Sequence, residues 1–439
     1  MWGCGFSDGL RFFQVSSNDV AAVAAEIASA RKPLDFYVET VRKIVEDVRV
    51  GGLTALMQYV NRFDSPKVTA DTLFVPRAKL AEAYGRVDEK TKNALKKVAE
   101  NVEKTSRSQL TRLNFVRRVE EGVKVVYRTA PLPSVGCYVP GGAASYPSTA
   151  LMTVVPAKTA GVPRVVVCTP PSQDGMLNDV VMAALYLAGA DEVYAMGGPH
   201  AVAAMAYGVE KIMPVAKIVG PGGPYVTAAK KLVSSDVPVD MLAGATELMV
   251  FADDVRDAED VALELCAQAE HSPDTLVGLV TTSDELASEV MKYVKLIAPR
   301  LERGKIVEES LEKNGYVALC DSFKTAVELI QTIAPEHLYV TSKPEKIVPH
   351  VSNAGVISVG RFTSPALCDY VVGVNHVLPT MGQARLRGGL SVLDYVKIVA
   401  EVRVLKGAAK RLGKHAALLA RAEGLPTHAA AAGRWSDSR

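Results

Sequence analysis

A chain of 439 residues, 49% of them hydrophobic, is too long for one ordinary core, so two or more domains are expected. Lys plus Arg (50) nearly balances Asp plus Glu (48) with no basic block, which argues against a nucleic-acid partner. Six scattered cysteines read as reduced and buried, the N-terminus lacks a signal-peptide core, and no apolar run approaches the ~20 residues that span a bilayer. A cytoplasmic protein with no membrane partner is therefore expected.

Residues 19–49 read as two helices, Val20 to Ala30 and, after Pro33, Phe36 to Val48, which ends near Gly51-Gly52. A further element runs from Leu53 to Arg62, and Asp88 to Leu110 is a long polar helix. Val123 to Tyr127 reads as a strand. From Pro133 strands alternate with helices. The strands are Val135 to Val139, Val165 to Cys168, Glu192 to Met196 and Lys217 to Val219. Helices follow from Thr149, with Ser148 as cap, and from Asp179, His200 and Tyr225. A second series opens at Leu248 to Phe251, with a helix from Asp257 to Ala269. Its later strands are Val277 to Thr281, Tyr316 to Leu319, His337 to Val340 and Gly355 to Val359. The chain closes with helical spacing over Asp394 to Leu405 and Lys406 to Ala422, then a small-residue tail expected to fray. The fold class is α/β: two doubly wound, Rossmann-like parallel-sheet domains with helical N- and C-terminal extensions.

Gln268-Ala269-Glu270-His271 ends the helix from Asp257, and Ser272-Pro273 stops it. Gln268 and His271 are three apart and share one face of the last turn. A carboxamide oxygen and an imidazole so placed could hold one side of a divalent metal. The competing reading is a helix-end histidine stabilised by the dipole, with an exposed glutamine. The chain has only seven histidines. His337 stands in Ala334-Pro335-Glu336-His337-Leu338, where a helix hands over to a strand, and its pairing with Glu336 suits acid/base work. His376 closes the loop from Asp369, and His428 lies in the tail. Ligands are expected beyond the carboxyl ends of strands, and the Asp369 to His376 loop follows such an end. Gly220-Pro221-Gly222-Gly223 could present amides to a pyrophosphate, although it is not GxGxxG and is a weak dinucleotide signal.

Together these pieces resemble the histidinol dehydrogenase family over nearly the whole chain. The resemblance rests on Gly136-Cys137-Tyr138-Val139-Pro140-Gly141-Gly142, Gln268 to His271, Ala334 to Leu338, and Asn375-His376-Val377-Leu378-Pro379-Thr380. It implies two consecutive NAD-linked oxidations, from L-histidinol through the aldehyde to the carboxylate. It implies zinc on Gln268, His271, Asp369 and His428, chiefly to orient the substrate through its imidazole and amino nitrogens. His337 would be the proton-accepting base, and Glu336 would activate water for the second oxidation. Substrate contacts would come from Thr246, Gln268, His271, His337, Asp369, His376, Glu423 and His428. Tyr138, His200 and Gly223 match positions beside the NAD. The family's C-terminal arm enters the neighbouring subunit, which implies a homodimer with shared sites. The expected division is 1–36 as a helical segment, 37–137 plus 247–390 as the metal-bearing domain, 138–246 as the NAD side, and 391–439 as a helical dimerisation arm.

The chain departs from the family at three places. Gly244-Ala245-Thr246-Glu247 stands where the family has Gly-Pro-Ser-Glu. Gly197-Gly198-Pro199-His200 replaces Gly-Gly-Ala-Gln, and Gly220-Pro221-Gly222-Gly223 replaces Gly-Pro-Gly-Asn. One lost hydrogen bond at position 223 is worth about 0.5–1.5 kcal/mol, so weaker cofactor binding is expected there. Two other readings stay open: a related zinc-dependent dehydrogenase of another polar alcohol, and a silent metal-binding homologue.

Overall fold

Valine-rich runs closed by glycine and proline become strands buried on both faces, as parallel sheets covered by helices require. The computed structural model describes residues 5–7, 9–141 and 145–436, so Cys4 and Gly142 lie outside the described residues. The strands are β1 Gly5–Ser7, β2 Leu10–Val15, β3 Phe115–Glu120, β4 Val123–Pro131, β5 Val135–Tyr138, β6 Val165–Thr169 and β7 Glu192–Ala195. They continue as β8 Ile218–Val219, β9 Glu247–Phe251, β10 Leu276–Thr281, β11 Tyr316–Cys320, β12 His337–Val340, β13 Val356–Val359 and β14 Val396–Val404.

Among the described residues these strands form three sheets. The large sheet has the order β1-β2-β11-β10-β9-β12-β13 and is parallel except for β1. The small sheet, β7-β6-β5-β8, is parallel throughout. The third, β14-β4-β3, is an antiparallel ribbon. Each parallel sheet has an apolar core on both faces.

The two parallel sheets are wound alike. β5, β6 and β7 step one way and β8 returns beside β5; β9, β10 and β11 step one way and β12 returns beside β9. Such a reversal opens a crevice at the carboxyl ends of the two strands that flank it. In the small sheet the turns after β5 and β8 line an open cleft. At the corresponding place in the large sheet, side chains satisfy one another. The Asp253 carboxylate accepts from the Thr282 amide (2.8 Å), the Thr282 hydroxyl (2.8 Å) and Lys343 Nζ (2.6 Å).

Several expectations are corrected. The first 36 residues are not all helical, because β2 pairs in parallel with β11 through its buried Leu10, Phe13 and Val15. Residues 37–137 pack with the small sheet rather than the large one. Helix Asp35–Tyr59 lies on helices Gly198–Tyr207 and Pro224–Val233, and Arg77–Arg86 lies on Asp179–Ala188. Helix Glu89–Arg112, capped by the Asp88 carboxylate, lies on Pro147–Thr159. Ser148 sits inside the first turn of that last helix and caps nothing. Asp35–Tyr59 is broken at Gly52, whose φ is +55°, close to where the helix was expected to end.

The largest difference is β14, expected as helix. Val396, Val399, Val402 and Leu405 have helical spacing, but Val396, Ile398, Ala400, Val402 and Val404 alternate. Five of its nine residues are β-branched, and β4 offers an edge that it pairs along its whole length, from Pro131 to Val123. Helix Lys406–Ala422 follows as expected. The tail does not fray at once: Pro426–Gly433 is a helix that packs on it, with Ala429 buried.

Candidate active site

Glu336 and His337 owe their position to a sharp exit from a helix. Phe323–Ile333 ends on Ala334 in the left-handed region (φ +53°), and Pro335 redirects the chain into β12. Thr246 immediately precedes β9, and Gln268 and His271 close the helix Ala258–Ala269 that leads to β10. The first residues of these strands are neighbours, since Leu248 registers with His337 and Glu247 with Leu276. The residues therefore gather at the amino edge of the large sheet, not at the carboxyl edge expected from the sequence. Asp369, in the short helix Pro365–Tyr370, comes back to this edge after β13 and stands 3.7 Å from His337 Nε2 through its Oδ1.

The amino edge of the large sheet faces the carboxyl edge of the small one across a cleft of about 300 Å³. One wall carries Thr246, Gln268, His271, Glu336, His337 and Asp369; the other carries Pro140, Ser148, Thr149 and Pro221 to Gly223. Helices Ala258–Ala269 and Phe323–Ile333 end at the first wall, and helices Pro147–Thr159 and Pro224–Val233 begin at the second. His376 joins the walls: its Nε2 is 3.0 Å from Thr149 Oγ1, and its Nδ1 is 2.7 Å from the Asp369 carbonyl.

The hydrogen bonds fix which atoms remain free. Glu336 Oε2 accepts from the Thr246 hydroxyl (2.6 Å) and from the Glu247 amide (2.7 Å). Its other oxygen, Oε1, lies 3.9 Å from His337 Nε2. Glu247 is itself held by a two-pronged pair with Arg31 at 2.8 Å and by the Met381 amide at 2.9 Å. Burial raises the Glu336 carboxyl well above the usual range. Burial, then the nearby His376 and His271, lowers His337 to about 3, and burial lowers His376 to about 4. Both rings are therefore neutral near pH 7.

A backbone carbonyl can only accept, so His271 Nδ1, 3.0 Å from the Gln268 carbonyl, is the donor, and Nε2 is the nitrogen that a metal would use. Gln268 Nε2 donates to Thr246 Oγ1 at 2.7 Å, which leaves Oε1 free. Asp369 Oδ1 is buried without a hydrogen-bond partner. An imidazole nitrogen, a carboxamide oxygen and an unpaired carboxylate oxygen on one cleft wall fit a divalent metal. Among the described residues, no three His, Cys, Asp or Glu side chains gather as a metal cluster by themselves.

The sequence model of the histidinol dehydrogenase family matches residues 28–434. The chain is 42% identical over 417 residues to the histidinol dehydrogenase of Methanothermobacter thermautotrophicus, covering 95% of this chain and 97% of that one. It belongs to the histidinol dehydrogenase family. The histidinol dehydrogenase of Methanopyrus kandleri is 44% identical over 396 residues, covering 89% of this chain and 92% of the relative. The crystal structure of histidinol dehydrogenase from Elizabethkingia anophelis superposes with a TM-score of 0.91 at 29% identity, covering 98% of this chain and 99% of that one. The chain is thus an oxidoreductase with the histidinol dehydrogenase fold.

Of the residues that the histidinol dehydrogenase resemblance singles out, Thr246, Gln268, His271, Glu336, His337, Asp369 and His376 share the cleft, and Gly223 lines its far wall. Tyr138 and His200 are buried and do not line it. His200 Nε2 is 2.8 Å from Asp64 Oδ2, and the Tyr138 hydroxyl accepts from the Gly198 amide at 3.0 Å. Glu423 and His428 are exposed and lie outside the cleft lining. Sequence reasoning missed Thr149, Tyr146 and Tyr370, which also line it. No spacing relates them to Glu336 and His337; only the family's glycine turn before Tyr146 pointed toward that wall.

Proposed function

We propose that this chain is a zinc- and NAD-dependent histidinol dehydrogenase, oxidising L-histidinol through L-histidinal to L-histidine at the end of histidine biosynthesis. The carrying observation is the adjacent buried pair Glu336 and His337, in one cleft with three free donor atoms. Family membership supplies the substrate.

Gln268 Oε1, His271 Nε2 and Asp369 Oδ1 would hold the zinc from one chain, with His428 completing the set from a second copy. Zinc would orient the substrate by its imidazole and amino nitrogens, and the nicotinamide would take the hydride at each oxidation. The rest falls to side chains. His337, neutral near pH 7, takes the hydroxyl proton as the alcohol is oxidised. With Oε2 of Glu336 anchored by two donors, Oε1 is the oxygen that takes a proton from the water attacking the aldehyde. Pro221 to Gly223, at the start of a helix, suit the diphosphate of NAD.

The same reading makes the functional unit a homodimer with exchanged C-terminal arms. Exposed Glu423 and His428 need a site to complete, and a cavity of about 530 Å³ opens beside His271. The ribbon and following helix also expose Ile398, Val402, Leu418 and Leu419, an apolar surface that a second copy would cover. No described helix is long and apolar enough to cross a membrane. The described cysteines are free and buried, as suits the cytoplasm. The test is to incubate the purified protein with L-histidinol and NAD. Two NADH should form for each histidine; turnover of other amino alcohols, with none of histidinol, would overturn the assignment.

A further inference from the structure

Thr246 places one hydroxyl between two groups whose orientation matters. It accepts from Gln268 Nε2 at 2.7 Å and donates to Glu336 Oε2 at 2.6 Å. Gln268 and Glu336 are each at least nine-tenths buried, so water does not easily replace either bond. The direction of this chain is set by chemistry. A hydroxyl has one proton, a carboxamide nitrogen only donates, and a carboxylate oxygen only accepts.

We propose that Thr246 is a positioning residue that fixes the carboxamide of Gln268 and the carboxylate of Glu336 through that single proton. The assignment rests on reading Gln268 as a metal ligand and Glu336 as the base. Turning the carboxamide over would set Oε1 against the Thr246 oxygen. The hydroxyl proton would then have to leave Glu336 to satisfy it. As built, Oε1 of Gln268, the only atom of that side chain a divalent cation accepts, is left toward the cleft. At the other end, Oε2 of Glu336 is occupied twice, by Thr246 and by the Glu247 amide, so Oε1 is the oxygen left to face His337. The γ-methyl of threonine restricts its χ1, which keeps the hydroxyl between its partners.

The experiment uses the full-length protein and variants Thr246→Val, Thr246→Ser and Gln268→Ala, each checked for folding by thermal melting. Zinc affinity is measured by competition with a chromophoric chelator, in the absence of substrate. Oxidation of alcohol and of added aldehyde is measured separately. Thr246→Val keeps the shape and loses the hydroxyl; it should lower zinc affinity about tenfold or more, as supporting partners of ligands do. It should also reduce kcat on the aldehyde with KM little changed. Thr246→Ser should recover most of both losses. Zinc affinity and aldehyde kcat at wild-type level in folded Thr246→Val would overturn the proposal. So would equal losses in Val and Ser, which would assign the effect to packing of the methyl group. If Gln268→Ala leaves zinc affinity unchanged, the reading of Gln268 as ligand fails and the proposal falls with it. If Gln268→Ala weakens zinc while Thr246→Val does not, that reading stands and only the Thr246 role is lost.

Discussion

At Asp369 burial, with the charge of Glu264 behind it, pushes the carboxyl from an ordinary 3.8 up to about 7. The folded chain thus holds this proton more tightly than the unfolded chain does. For such a group the stabilisation is complete below the unfolded value and is lost as pH rises through the folded one. Glu336, raised by burial, acts in the same direction. The lowered histidines oppose this: unfolded, they take up a proton near the ordinary 6.5, so their contribution rises with pH up to about that value. The share of Asp369 is therefore read by difference. In metal-free protein the change in melting temperature from pH 6 to pH 8 should be about one or two degrees more positive in Asp369→Asn than in the wild type. Identical pH slopes in the two proteins would contradict the account. Metal binding at pH 6 should also release a proton, seen as a buffer-dependent heat.

Glu336→Gln keeps both acceptor bonds at the anchored end but removes the carboxylate oxygen proposed to activate water. Aldehyde oxidation should fall on the order of 100-fold or more, and alcohol oxidation much less. Equal losses would contradict the division of labour with His337. Gly223 is the residue whose freedom decides another outcome. Its φ of −64° and ψ of 176° suit any residue, and a Cβ there would meet nothing within 4 Å. It is the cap of helix Pro224–Val233, where asparagine is among the best residues. Gly223→Asn should leave stability equal or slightly higher and tighten NAD several-fold by titration of NADH fluorescence; unchanged affinity would mean NAD is held otherwise. Gly220 differs: its φ is +111° and a Cβ would strike the Tyr138 carbonyl, so only glycine serves there.

At the scale of elements, most strands were legible because a parallel strand covered on both faces is an unbroken apolar run. β9 and β10 are buried throughout, and both were read nearly to the residue. β14 was not legible, because its residues satisfy helical and alternating spacing together. What decided it was the edge of β4, a partner more than 260 residues away that no local window contains. The pair Gln268 and His271 could be read from their spacing on a helix end. Their meeting with Glu336 could not, because it depends on which edge of the large sheet is used, and the general rule pointed to the other one. The large sheet's own carboxyl-edge crevice is occupied by Asp253, Thr282 and Lys343. The arm carries the remaining prediction. His337→Ala and His428→Ala, each inactive, should regain roughly a quarter of wild-type activity when unfolded and refolded together in equal amounts. Half of the dimers are then mixed, and each has one whole site. No recovery, although mixed dimers form, would mean that each chain completes its own site.

At the scale of the whole molecule, one sheet lends its amino edge and the other its carboxyl edge to the same cleft. Helices therefore finish on one wall and begin on the other. A helix end bears roughly half a unit charge, negative where it finishes and positive where it begins. The two walls have opposite potentials before any ligand arrives. The wall of Gln268, His271 and Asp369 attracts a cation, and that of Thr149 and Gly223 attracts an anion. A cation and a diphosphate held on facing walls also attract each other across a space of low polarity. Binding of the two should then be thermodynamically linked, and linkage is mutual. Zinc should raise the affinity for ADP-ribose, which cannot accept a hydride, by a few-fold at low salt. ADP-ribose should raise the affinity for zinc by the same factor, and added salt should shrink both. The opposed edges would thereby make the cleft fill as a unit, with metal and nucleotide each retaining the other through the turnover that the side chains carry out between them.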